Sequence, residues 1–431
     1  MKISDLTTII PKMEGKPVPL PRMAWVHQTY DDHELADIRT EIQNGMQILP
    51  KDLYGRRIAV TVGSRGIDRI DQLVRALVDE LKAKGAIPFI IPAMGSHAGA
   101  TSEGQREFLS GYGITEKTMG VEICDSMETV CLGVLPNGVK VFCQKDAYEA
   151  DGIIVMNKVK PHADFKGPVE SGLCKMMVIG LGKHMGATEV HRRGFARMAE
   201  ILPQAAELFL KKAPVMLGIG IIENAYDRLM ELQFVRPEEL IEKEKDMLKT
   251  AKANIARLKV SAVDVLLVDS IGKDISGEGM DPNVTGRPGS YLMDGFEAPP
   301  IQKIVIFRVT PKSHGNGVGI GMADITTAEL MESLDLSQIY TNAITSTLLS
   351  PGKLPLIAET ERAAVDIALR TCYDIDAEKG PKIIWIQDTS HLGDILVSEA
   401  YKEEIEKRDD IQLISDFQEM VWDEQGHLIV R

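Results

Sequence analysis

The densest run of reactive side chains is Asn157-Lys-Val-Lys-Pro-His-Ala-Asp-Phe-Lys-Gly-Pro-Val-Glu-Ser-Gly-Leu-Cys-Lys175. It places His162, the lysines Lys158, Lys160, Lys166 and Lys175, and the carboxylates Asp164 and Glu170 in one loop and helix start. The chain as a whole is acidic, with 63 Asp+Glu against 49 Lys+Arg and a formal net charge of −14. A local surplus of lysine in such a field points to an anionic ligand. A second candidate is Met94-Gly95-Ser96-His97-Ala98-Gly99, where flanking glycines hold His97 in a loop. An imidazole titrates near neutrality and suits proton transfer; equally, Thr101 can cap the helix that follows and explain part of the motif without chemistry. The third is Gly63-Ser64-Arg65-Gly66. There, backbone N–H groups with Ser64 and Arg65 would hold a phosphate or carboxylate, or Ser64 is an ordinary helix cap beside a solvated Arg65. Both readings stay open.

Other chemistries find less support. No His-Glu-x-x-His helix and no Cys-x-x-Cys pair is present, and His184 and His191, though able to share a helical face, lack a third soft ligand. A conventional zinc site is not expected. Gly180-x-Gly182 has its third glycine displaced to Gly186, and no acidic residue ends a following strand at the distance a dinucleotide fingerprint requires. Cys174 has no adjacent base and reads as a small buried side chain rather than a nucleophile.

Taken in order, four pieces resemble the signature of the nickel-dependent lactate racemase superfamily. They are His97 in its Gly-Ser-His loop, the pair Pro161-His162, Lys175 after Ser171-Gly172, and His191 sixteen residues beyond Lys175. The resemblance spans residues 55–195, with a weaker match at Lys273-Asp274. It implies a nickel-pincer nucleotide, a pyridinium mononucleotide whose thiocarboxyl arms and ring carbon bind Ni(II), a set that suits that ion. Carried over, Lys175 is the attachment lysine, His191 the nickel ligand, and Ser64, Arg65, Ser171 and Gly172 further cofactor-binding positions. His97 and His162 become the catalytic acid/base pair.

The implied reaction is racemisation or epimerisation of a 2-hydroxy acid. Its Cα–H is a weak acid, so hydride leaves more easily than a proton while one histidine takes the hydroxyl proton. The resulting 2-oxo acid then receives the hydride on its other face. Two isomers present their hydroxyls in opposite directions, which calls for two bases, each worth roughly 10²–10⁴-fold.

Departures from the family bear on the substrate. Val62-Gly-Ser-Arg65 stands where lactate racemases have an Asp-x-Thr-Arg turn, and the interval from His162 to Lys175 is longer. The Tyr-Gln-x-x-Lys element that grips the lactate carboxylate is replaced by Glu278-Gly279-Met280-Asp281-Pro282. Lactate is therefore a poor fit. Lys273, Glu278, Asn283 and Arg287 suit a larger anion such as a sugar acid or hydroxy diacid. Two other readings remain: a nicotinamide-dependent hydroxy-acid oxidoreductase, and a non-catalytic nickel- or nucleotide-binding protein.

The elements that must position these residues alternate along the chain. Arg57-Ile-Ala-Val-Thr-Val62 and Ile87-Pro-Phe-Ile-Ile91 read as strands around a helix over 67–84, a βαβ unit that predicts a parallel sheet. Pro-Asn-Gly between 129–135 and 139–144 predicts a hairpin. Gly152-Ile-Ile-Val-Met156 is a further buried strand, and 237–259 a charged helix connecting two domains. Val263-Asp-Val-Leu-Leu-Val268 and Lys303-Ile-Val-Ile-Phe307 begin a second α/β unit around the Gly-rich segment 272–289. The expected fold is thus α/β, with two parallel-rich domains and an active-site cleft between them. Residues 1–258 form the cofactor-binding and catalytic domain and 259–431 the C-terminal one, its extreme end packing back on the first.

Composition narrows the class. At 431 residues, 44% hydrophobic and 26% charged, the chain reads as globular with more than one core. The acidic balance argues against nucleic acid. No apolar run reaches the roughly 20 residues of a membrane span, and the N-terminus lacks a signal-peptide pattern. Its 5 scattered cysteines make no disulfide framework. The expected setting is the cytoplasm, with a small anionic hydroxy acid and the cofactor-biosynthesis enzymes as partners.

Overall fold

The computed structural model describes residues 18–64 and 66–429. Arg65, one of the expected anion-holding residues, lies outside the described residues. The chain divides into two α/β units, Asp31–Ile255 and a second made of residues through Tyr30 and from Ala256 onward. The later boundary lies between Ile255 and Ala256. The N-terminal segment does not follow expectation: β1 (Met23–Gln28) pairs antiparallel with strands Asp394–Ser398 and Ile411–Leu413 of the second unit. Sequence adjacency suggested the first domain; the ladder bonds and the buried Met23, Ala24 and Val26 decide otherwise.

In the unit Asp31–Ile255, β2 (Arg57–Val62), β3 (Ile87–Pro92), β6 (Gly152–Lys158), β7 (Val215–Glu223) and β8 (Leu229–Val235) form one sheet in the order β3-β2-β6-β7-β8. All neighbours are parallel except β7 and β8. The expected hairpin is present as β4 (Thr129–Val134) and β5 (Lys140–Gln144). Ile58, Val60 and Val62 bury one face of the sheet against Leu73, Val74, Leu77 and Leu81 of helix Ile70–Ala83. Full burial of each such side chain stabilises by about 1.5–3 kcal/mol.

The opposite face carries the site, and the alternation in β7 shows why. Leu217, Ile219 and Ile221 point into the first core, while Gly218 and Gly220 face the other way. A Cβ on Gly218 would come within 3.0 Å of both Leu240 and Leu173, and one on Gly220 within 2.3 Å of Met247. The two glycines therefore let helix Leu240–Asn254 and the segment at Leu173 sit directly on the strand. That helix, expected as a connector, is also a packing element, with Leu240, Glu244, Met247, Leu248 and Ala251 buried.

In the second unit, β9 (Val263–Ile271), β10 (Ile301–Val309), β11 (Ile325–Thr327), β12 (Leu356–Ala358) and β13 (Ile383–Ile386) are parallel. Strands β14 (Asp394–Ser398), β1 and β15 (Ile411–Leu413) complete the sheet antiparallel. The end of the chain departs from expectation as well. Trp422 and Leu428 pack against Ala364, Val365 and Ala368 of this same unit, and Leu428 N donates to Glu361 at 2.7 Å. The strand Leu428–Ile429 is thus held within its own unit.

Candidate active site

Strands β2, β3 and β6 of the first unit run parallel, so the loops that leave their C-terminal ends share one edge of the sheet, where ligand loops of open α/β sheets lie. Ser64 follows β2, His97 follows β3, and the run from Val159 to Lys175 follows β6. Ser64 Oγ hydrogen-bonds His97 Nδ1, so Ser64 acts as the partner of an exposed histidine rather than as a helix cap. The His97 ring is thereby oriented through its Nδ1.

His162 sits at the centre of a second cluster. Its Nε2 lies 2.6 Å from Lys175 Nζ. The Asp164 backbone N–H donates to Nδ1 at 3.0 Å, so the ring is held at both of its nitrogens. The loop is wound around the fully buried carboxylate of Glu170, which accepts from His162 N at 2.7 Å, Gly167 N at 3.3 Å and Lys252 Nζ at 2.6 Å. Phe165 packs on the His162 ring, centroids 4.5 Å apart, and Phe195 is 6.0 Å from it. Phe195 also stacks on His191 at 5.9 Å. Burial, and then the charge of Lys175, push the His191 imidazole down to about 4. His191 is thus neutral at ordinary pH, with a lone pair to offer.

The expectation of a collectively basic loop is corrected. Lys158 is ion-paired with Glu223 and Asp227, and Lys166 donates to the His162 carbonyl at 2.8 Å beside Glu170. Ser171 and Gly172 act through their backbones. Ser171 bridges to Lys160 in both directions, and the Gly172 carbonyl accepts from Asn157 Nδ2 at 2.9 Å. A Cβ on Gly172 would lie 2.2 Å from Glu244 Oε1. That buried carboxyl, pushed up to about 7 by desolvation, accepts from Cys174 N at 2.7 Å. Cys174 is buried, its thiol held well above the usual range by desolvation and Glu244, in line with a packing role.

The turn after Lys175 joins the two clusters. Leu181 N donates to Met176 O at 2.8 Å, an i→i+5 bond that widens the turn over Met176–Gly180. Met176 Cε approaches the Cβ position of Gly63 to 3.0 Å, and Gly95 N donates to Gly180 O at 3.1 Å. Added Cβ atoms on Gly180 and Gly182 would strike Ala93 O at 2.7 Å and Val178 O at 2.2 Å. These glycines serve close packing inside a helical segment, which removes the strand-to-helix turn a dinucleotide would need. Among the described residues, no three His, Cys, Asp or Glu side chains group as a metal cage.

Residues 26–200 match the family model of the lactate racemase N-terminal domain. That stretch is similar to the lactate racemase N-terminal domain. Its fold is similar to the lactate racemase apoprotein from Thermoanaerobacterium thermosaccharolyticum, with 13% identity, a TM-score of 0.51, and coverage of 86% of this chain and 99% of that one. No curated protein matches the chain. Among the described residues, no helix is long and apolar enough to cross a membrane.

The matched residues 26–200 include His97, His162, Lys175 and His191; Lys273, Glu278, Asn283 and Arg287 belong to the second unit. Lys273 follows β9, with its N–H on Ser313 Oγ at 2.8 Å and its amine on Gly277 O at 2.6 Å. Glu278 ends the same loop, its carboxylate 2.8 Å from where Gly289 would carry a Cβ. Asn283 turns to Asp281 at 2.8 Å. Arg287 is corrected: its guanidinium donates to Asp324 at 2.7 Å and to the carbonyls of Met322, Ile301 and Gln302. Ile301 and Gln302 begin β10, so Arg287 braces the strand-start end of the sheet, opposite its ligand loops. Phe195, Lys183 and Gln105 escaped the sequence reading, which also gave Glu170 and Asn157 no role of their own. Phe195, four residues after His191, left a faint helical-spacing signal; the rest left none.

Proposed function

We propose that this protein is an isomerase that inverts the carbinol carbon of a small 2-hydroxy acid or sugar acid with a nickel-pincer nucleotide. The observation that supports it best is the convergence of the Lys175 amine, His162 and a neutral His191 around Phe195. The donor set fits the group: an amine for covalent attachment beside an imidazole that burial keeps unprotonated. Lys175 would hold the nucleotide and His191 would complete the nickel. When bound, the group supplies the acceptor for hydride from the carbinol carbon.

The rest of the work falls to this chain's own side chains. His97 and His162 remove and return the hydroxyl proton, one for each isomer, so the base for one isomer is the acid that forms the other. His97, oriented by Ser64 through Nδ1, exchanges at Nε2. His162 exchanges at Nε2, the nitrogen that faces the Lys175 amine. The test is to co-express the protein with cofactor-biosynthesis enzymes, weigh it intact, and assay single isomers of hydroxy acids and sugar acids by chiral chromatography. A mass increment lost in Lys175→Ala, together with inversion of one substrate, is expected. An increment that survives Lys175→Ala moves the attachment elsewhere, Lys166 being the nearest alternative in the loop.

A further inference from the structure

Lys183 is a buried lysine that the reaction above does not use. It is 0% exposed and among the largest fully buried side chains of the described residues. Its backbone lies in the left-handed region at φ 51°, a conformation that costs a non-glycine residue roughly 1–3 kcal/mol and persists only where surroundings enforce it. The amine donates to Pro92 O at 2.7 Å, the last residue of β3, and to Gln105 Oε1 at 2.8 Å. Gln105, also 0% exposed, spends its amide N–H groups on Gly95 O at 3.0 Å and His97 O at 3.4 Å. Among the described residues no carboxylate pairs with Lys183 directly, and burial lowers its pKa to about 8. Burying an ammonium among amides and carbonyls is a poor way to stabilise a core. What these bonds do share is a target: the backbone from Pro92 to His97. Lys183 also opens the helix Lys183–His191, whose last residue is the proposed nickel ligand.

We propose that Lys183 and Gln105 are positioning residues for His97, a buried tether that locks the acid/base loop to the helix bearing His191. The inference rests on the catalytic role proposed for His97. The geometry gives each partner a separate job. Lys183 fixes the loop's root at Pro92 and orients the Gln105 amide, whose N–H groups then clamp the carbonyls of Gly95 and His97. The His97 side chain, held by Ser64 at one end, is held through its own carbonyl at the other. A shift of about 1 Å in such a group costs on the order of 10²-fold in rate.

Two substitutions separate the tether from a merely structural lysine. Lys183→Met fills the same slot without the donors. Gln105→Glu keeps an acceptor for Lys183 but cannot donate to the Gly95 and His97 carbonyls. The readouts in the cofactor-free protein are the NMR titration of the His97 ring and amide hydrogen exchange over residues 94–101. Both variants are expected to shift the titration and to speed exchange in that loop at least tenfold, with exchange in β7 unchanged. In the loaded enzyme, kcat is expected to fall about 10²-fold with KM little changed. If Gln105→Glu leaves the His97 titration and the loop exchange as in the unsubstituted protein, the tether is overturned, whatever Lys183→Met does to folding. Failure of the unsubstituted, loaded protein to invert any hydroxy acid would instead overturn the proposed reaction, and the apoprotein measurements would still decide whether the loop is tethered.

Discussion

His191 has the electrostatics of a metal ligand before any metal arrives. Its ring titrates near 4 because burial and the neighbouring Lys175 both oppose a second positive charge. The sign of the resulting pH dependence follows. In the unfolded chain the ring takes up a proton near 6.5, whereas the folded ring stays neutral to about 4, so stability falls as pH drops through that window and is unaffected above it. His191→Ala should abolish nickel retention, measured by metal analysis of co-expressed protein, with the circular dichroism unchanged. It should also flatten the acid limb of the stability profile. Retained stoichiometric nickel would take the ligand role from His191. His97→Ala and His162→Ala should each lower both directions of the interconversion by roughly 10²–10⁴-fold; a variant that loses one direction alone is incompatible with paired bases. At this scale His97, His162, Lys175 and His191 stood out in the sequence by their types and order. Lys183 did not, since a buried charge follows no hydrophobic period.

Elements decide how these residues are held. The Lys175 turn sits on β7 through two glycines and is closed by Gly172 against Glu244, a packing arrangement made by helix Leu240–Asn254. Gly172→Ala should push that carboxyl out of place and lower the melting temperature by several degrees, as well as the yield of Lys175 loading. Glu244 contributes in the opposite sense with pH. Its folded pKa of about 7 exceeds the unfolded value of 4.5, so stability is lost as pH rises between the two. At about 1.4 kcal/mol per unit, the loss is on the order of 3 kcal/mol. Glu244→Gln retains an acceptor for Cys174 N and should remove this loss, which denaturation at pH 5 and pH 8 would show; an unchanged difference between the two would mean Glu244 is not the titrating group. The strands, the hairpin and the helix over 67–84 were readable from period and turn chemistry. The wide turn over Met176–Gly180 was not, because its apolar run reads alike as strand or helix.

For the whole molecule, alternation of strands and helices was enough to expect two parallel-rich α/β units and to put their junction near residue 258. It was not enough to place β1, whose partners lie more than 350 residues away, nor the strand Leu428–Ile429, which its own unit retains. Long-range strand pairing leaves no local trace. Arg287 misled for a related reason: its Gly-rich surroundings looked like a ligand loop, while its contacts are with the beginnings of strands. The central claim concerns how the carbinol carbon is inverted, and one measurement addresses it. The co-expressed, nickel-loaded protein is incubated in D₂O with single isomers of 2-hydroxy acids and sugar acids, and the products are examined by proton NMR. The expected result is inversion with the carbinol hydrogen retained, because hydride never exchanges with solvent. Deuterium at the inverted carbon would contradict hydride transfer and point to proton abstraction.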